Sequence, residues 1–163
     1  MAEFAPEWVH VQYAETSQFT EVYGFAGSQG MVNLEGVRFL PERPSRTLVV
    51  TMHPSAAQTF LPVPRALAAA GVHVLCAGSR YQRNDTALVM EKVILDLGAY
   101  VRHAKEVWGY DKVVLAGWSG GGSLTLFYQS QAEHPTLEAT PAGDPVAITG
   151  ARLVPGDALI FQA

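Results

Sequence analysis

Apolar residues in this chain follow two rhythms, and the switches between them predict its elements. Trp8 to Tyr13 alternates apolar and polar positions as a half-buried strand does. Phe19–Phe25 and Met31–Leu40 read as two strands of a hairpin or meander. Gly27-Ser28-Gln29-Gly30 turns between them, and Pro41-Glu42-Arg43-Pro44 turns after them. Arg46 to Met52 is a continuous apolar run, the mark of a strand buried on both faces. A helix is predicted from Pro62 or Pro64 to Gly71, and Gly71 to Ala77 is the next buried strand. Asp85 or Thr86 is placed to cap a long helix reaching about Trp108, in which Met90, Val93, Ile94, Leu97, Val101 and Ala104 recur at helical spacing before Gly109. A strand over 112–117 and a helix from about Gly120 to Glu133 follow, with Pro135 as the stop. Thr136 to Gly156 is rich in Pro, Gly, Ala and Thr and reads as a loop or excursion; Asp157 to Ala163 opens another buried strand. Strands and helices in this order predict an α/β fold: a mostly parallel central sheet with flanking helices and an antiparallel N-terminal edge.

Composition narrows the partners more than it changes the fold. A length of 163 residues suits one domain, and 48% hydrophobic with 16% charged residues suits a globular one. A net charge of −4 argues against nucleic acid or an anionic membrane, either of which asks for a basic face. The lone cysteine, Cys76, lies inside an apolar run and reads as a core thiol. No metal-ligand spacing and no cofactor fingerprint occurs, so neither is expected. The first residues lack the charged and apolar regions of a secretion signal, and no apolar run spans a bilayer, which makes the cytoplasm the default expectation.

The chemistry concentrates where the strand 112–117 meets its helix. Gly117-Trp118-Ser119-Gly120-Gly121 is a G-x-S-x-G motif with an apolar strand before it and a helical pattern after it. A serine there needs a strained backbone to stand clear of the sheet, and Gly117 and Gly121 let strand and helix approach without a Cβ clash. A glycine-rich turn that cradles a phosphate is the alternative, but neither G-x-G-x-x-G nor the P-loop pattern occurs and no lysine lies in the turn.

On these residues, together with His53-Pro54-Ser55 after the third strand, the sequence resembles the α/β-hydrolase family over roughly residues 20–163. That span matches only the N-terminal half of the family's sheet, which makes 1–163 the N-terminal part of a single hydrolase domain, with about 136–156 a loop or cap excursion. The resemblance implies an acyl-enzyme on Ser119, with a carboxylic ester as the most general small-molecule substrate. It implies an oxyanion hole built from the N–H of Gly120 and one N–H of the third-strand loop. Pro54 stands where the family commonly has glycine and has no N–H, which leaves Ser55 first by position and Ala56 second.

The family's acid and histidine follow the serine in chain order. After Ser119 this chain has only Glu133, His134, Glu138, Asp144 and Asp157, and a helix would carry His134 roughly 20 Å away. His10, His53, His73 and His103 all precede the serine; His53 is nearest by topology and reads as a residue that shapes its loop. No triad closes, so the resemblance implies that a second polypeptide, or a cleaved C-terminal part, carries the remaining strands with the triad Asp or Glu and His. A non-catalytic binding module on the same scaffold is the competing class, and an acyltransferase or amidase would share the same elbow. Arg80 and Arg83, in the loop after the fourth strand, would either meet an anionic substrate group or serve a solvated, helix-capping loop, the plainer reading.

Overall fold

Two long strands, β1 (Phe4–Ala14) and β2 (Met31–Pro41), pair antiparallel from Phe4 opposite Pro41 to Ala14 opposite Met31. Alternation decides which way they face: Val9, Val11, Val32 and Leu34 are buried while Trp8, His10 and Gln12 are exposed. The computed structural model describes residues 3–15, 31–146 and 148–162; the predicted strand Phe19–Phe25 and the turn Gly27–Gly30 lie outside them. The continuous apolar runs become β3 (Thr47–Met52), β4 (His73–Ala77), β5 (Lys112–Trp118) and β6 (Ala158–Gln162). These four run parallel, and β2 joins them antiparallel to β4, giving the order β1-β2-β4-β3-β5-β6. The mostly parallel sheet with an antiparallel N-terminal edge is therefore as expected.

Helices α1 (Pro62–Ala69), α2 (Met90–Glu106) and α3 (Gly120–Glu133) connect the parallel strands. Proline opens α1, and Gly71 with φ +90° and Gly109 with φ +73° allow the reversals after α1 and α2. Helices α2 and α3 share the larger core with Leu48, Val50, Met52, Val113 and Leu115. The opposite face holds a smaller core of Val49, Val74, Cys76 and Ala68, the last from α1. Cys76 is buried and free, and its burial pushes the thiol pKa up to about 12.

Two details depart from the sequence pattern. Neither Asp85 nor Thr86 caps α2, which starts after Val89, an extended residue with no side-chain cap. The preceding loop is fastened elsewhere: the Arg83 N–H donates to the Ser55 carbonyl at 2.7 Å and the Thr86 N–H to Asn84 Oδ1 at 3.2 Å. The second departure is that α2 is buried on every side from Glu91 to Val101. The described residues of the segment 136–156 form neither helix nor strand, apart from an isolated bridge between Ala139 and Pro145, yet they bury Val146 and Ile148 in the larger core. Tyr128 of α3 donates to the Val154 carbonyl at 2.6 Å, and Leu153 lies against Gly98 so closely that a Cβ there has no room. This excursion covers the outer side of α2.

Candidate active site

The site begins with a residue that breaks a backbone rule. Ser119 has φ 53° and ψ −128°, a conformation that L-residues avoid and that costs of order 1–3 kcal/mol where the surroundings impose it. The surroundings here are glycine contacts. A Cβ at Gly117 would overlap the Gly121 carbonyl oxygen and the Gly122 Cα, and one at Gly121 would overlap the Met52 carbonyl oxygen. Only glycine lets α3 start that close to β5 and β3, and the serine between them is forced into the tight corner.

Strain leaves the hydroxyl unspent. A serine at a helix N-cap ordinarily accepts from a first-turn N–H, but Ser119 makes no such cap bond; among the described residues only its carbonyl is used, by the Gly122 N–H at 2.9 Å. The residue is exposed and stands at the N-terminus of a 14-residue helix, whose dipole favours negative charge.

Across the corner lies the loop after β3. His53 is half-buried, with Nε2 3.0 Å from where a Cβ on Gly120 would sit; Pro54 Cδ is 3.5 Å from the same point. Its Nδ1 accepts two backbone bonds, from the Ser55 N–H at 3.2 Å and the Ala56 N–H at 3.0 Å. Both N–H groups that the loop was expected to offer an oxyanion are thus directed at the imidazole. Burial holds the His53 pKa below the usual 6.5, so the ring is neutral near pH 7. A neutral ring whose Nδ1 accepts twice carries its proton on Nε2.

The remaining histidines and acids are elsewhere. His134 caps the far end of α3, roughly 20 Å along the helix from Gly120. Asp157 lies before β6, bonded to the Val113 N–H and to Lys105 Nζ, both at 2.8 Å. Val113 lies near the start of β5, six positions before Ser119, which also puts it roughly 20 Å away. His73, bonded to Tyr110 and to the Arg43 carbonyl, starts β4 at that same far end. Of the sequence candidates, the fold brings together Gly117, Ser119, Gly120 and Gly121 with His53 and Ser55.

Arg80 meets no open rim. It is locked among Asp96 (2.8 Å), Glu15 (2.8 Å) and the Tyr13 hydroxyl, with Lys92 3.9 Å from Glu15. Burial raises the Asp96 carboxyl, while Arg80 and the Tyr13 hydroxyl pull it back down. This network anchors the loop after β4, which in turn grips the loop after β3: Ser79 Oγ donates to the Pro54 carbonyl, and the Arg83 N–H to that of Ser55. Sequence reasoning missed the anchor because its members come from β1, the loop and α2.

An apolar groove of ≈ 330 Å³ opens on the α1 side of the sheet, lined by Val63, Leu67, Ala116, Trp118 and Ile160 among others. Gln58 reaches into it. Thr51 donates to Gln58 Oε1, while the buried Gln58 Nε2 has no hydrogen-bond partner among the described residues. Among the described residues no cluster of His, Cys, Asp and Glu is arranged to hold a metal, and no helix is long and apolar enough to cross a membrane.

No protein-family model matches the chain, and no curated protein does. Solved structures do match its fold. A brefeldin A esterase, described as a bacterial homologue of human hormone-sensitive lipase, superposes with a TM-score of 0.53 at 20% identity, over 82% of this chain and 36% of that one. The esterase Est22 gives 0.58 at 14% identity, over 91% and 41%. A thermostable carboxyl esterase from Bacillus coagulans gives 0.51 at 12% identity, over 81% and 42%. The chain therefore has an α/β-hydrolase fold, in part, and spans less than half the length of each of these esterases.

Proposed function

We propose that this chain is the nucleophile-bearing part of a serine hydrolase acting on carboxylic esters. The observation that carries the reading is Ser119: a strained, exposed serine with an unspent hydroxyl at a helix N-terminus, enforced by two glycines that tolerate no Cβ. That all three solved neighbours named above are esterases supports the choice of reaction.

In the proposed reaction Ser119 Oγ attacks the ester carbonyl carbon and loses its proton to a base. The oxyanion takes a hydrogen bond from the Gly120 N–H, and collapse expels the alcohol, which receives the proton back. Water then cleaves the acyl-enzyme by the same steps. His53 cannot be the base, because the nitrogen nearest the elbow already carries a proton. The base and its acid therefore come, in this proposal, from a second polypeptide or a cleaved C-terminal part, and Ser55 supports the oxyanion loop through the imidazole. The absence of a base among the described residues favours a second reading, a non-catalytic binding module.

A fluorophosphonate probe tests both. With the purified protein and whatever co-purifies, phosphonylation mapped by mass spectrometry to Ser119, and lost in Ser119→Ala, is the expected result. A Ser119 that stays unlabelled leaves the binding module. A monomer of this chain alone that hydrolyses esters overturns the second-polypeptide part while keeping the enzyme.

A further inference from the structure

We infer that the second hydrogen-bond donor of the oxyanion hole is the His53 side chain, through Nε2–H, in place of a backbone N–H of its loop. The inference rests on the serine-hydrolase reading of Ser119 and adds a residue to its machinery.

Three observations converge on it. The first donors of the loop after β3 are already engaged: Pro54 has no N–H, and those of Ser55 and Ala56, the two nearest the strand end, are bonded to His53 Nδ1. Those same two bonds fix the tautomer and orient the ring, so the proton on Nε2 is held in place before any substrate arrives. Nε2 makes no hydrogen bond within the described residues and lies beside Gly120, whose N–H is the other donor.

Distance supports sharing a single oxygen. Nε2 is 3.0 Å from the Cβ position of Gly120. Standard bond lengths put that position about 2.5 Å from the Gly120 nitrogen, so the two nitrogens are at most about 5.5 Å apart. One oxygen can accept from both at ordinary lengths of about 2.7–3.1 Å. Glycine at 120 has a second use on this account, since any side chain would press on the imidazole.

Two substitutions separate donation from loop shaping. Asparagine at 53 places an acceptor where Nδ1 is, which preserves the bonds from Ser55 and Ala56, and offers nothing at Nε2. Glutamine places an N–H near Nε2 and loses the Nδ1 acceptor. If His53 donates to the oxyanion, His53→Asn slows fluorophosphonate labelling of Ser119 on the order of 10²-fold and His53→Gln retains part of the rate. If it only shapes the loop, His53→Asn labels like wild type and His53→Gln behaves like His53→Ala, which overturns the inference. Wild type that never labels refutes the hydrolase reading instead. A nitrogen NMR spectrum of the imidazole is independent of activity: the Nε2–H tautomer is expected at pH 7, and an Nδ1–H tautomer refutes the assignment.

Discussion

The two faces of this sheet carry the same kind of residue and meet different fates. On one, Leu48, Val50, Val113 and Leu115 are fully buried beneath α2 and α3, and the excursion 136–156 closes α2 from outside. On the other, α1 covers only part of β3 and β4. Trp118 stays 39% exposed and Ile160 46%, along a groove that also holds the unpaired Gln58 Nε2. Parallel strands apolar on both faces are built to be covered on both. The bare face also runs into the site, because Gly117 and Trp118 line the groove and Ser119 follows directly. On the proposed reading, covering the groove and completing the catalytic machinery are one event, supplied by the same second polypeptide.

The largest effect expected on the closed face comes from its buried charges. Asp96 is fully buried and holds Arg80 by side-chain and backbone bonds. Asp96→Asn leaves the guanidinium undercompensated and is expected to destabilise the fold by about 4 kcal/mol, read from the urea midpoint. A loss below about 1 kcal/mol would mean that Glu15 and Tyr13 hold Arg80 unaided.

A matched pair on neighbouring strands measures the contrast directly. Leu115 faces α3 and is fully buried, whereas Ile160, in register with Ala116, faces the groove. Leu115→Ala is expected to cost about 3 kcal/mol and Ile160→Ala about 1 kcal/mol in the chain by itself. Equal costs would show the groove already closed in solution. With the proposed second polypeptide present, Ile160→Lys is expected to weaken association at least about tenfold, since it sets a charge in an apolar contact.

What the sequence disclosed and what it hid follow the range of the forces involved. The elbow was legible because its constraint is local: two glycines around one serine, a strand before and a helix after. The boundaries of α3 were equally plain, and β6 was legible as a strand, but the burial expected of it is not met: it is an edge strand with all but one of its residues exposed. The start of α2 was misjudged at Asp85 or Thr86, since both are good caps locally but the loop is tied to Ser55, some thirty positions back. Arg80 looked solvated because its partners, Asp96 and Glu15, lie 16 and 65 positions away with no periodic signal. His53 was rightly placed in the loop, yet its tautomer is set by backbone N–H directions that only folded coordinates reveal.

The smallest predicted effect concerns where the exposed edge strand is fastened. β6 is the edge strand beyond β5, with Ile160 and Phe161 exposed, and Asp157 pins its start to the Val113 N–H and to Lys105. Lys105 first, and the Val113 N–H second, hold the Asp157 carboxyl below the usual 3.8. A carboxyl with a depressed folded pKa binds its proton less readily folded than unfolded. Its contribution is therefore complete above the unfolded value near 4 and disappears as pH falls through the lower folded value. The pair is partly exposed, which limits it to about 0.5 kcal/mol. Wild type and Asp157→Asn should therefore differ slightly in urea midpoint at pH 6 and converge as pH falls through the depressed folded value, and the gap at pH 6 should shrink in high salt. A gap that persists undiminished in acid would assign the effect to the strand's packing, making the edge more firmly closed than the contrast between the two faces allows.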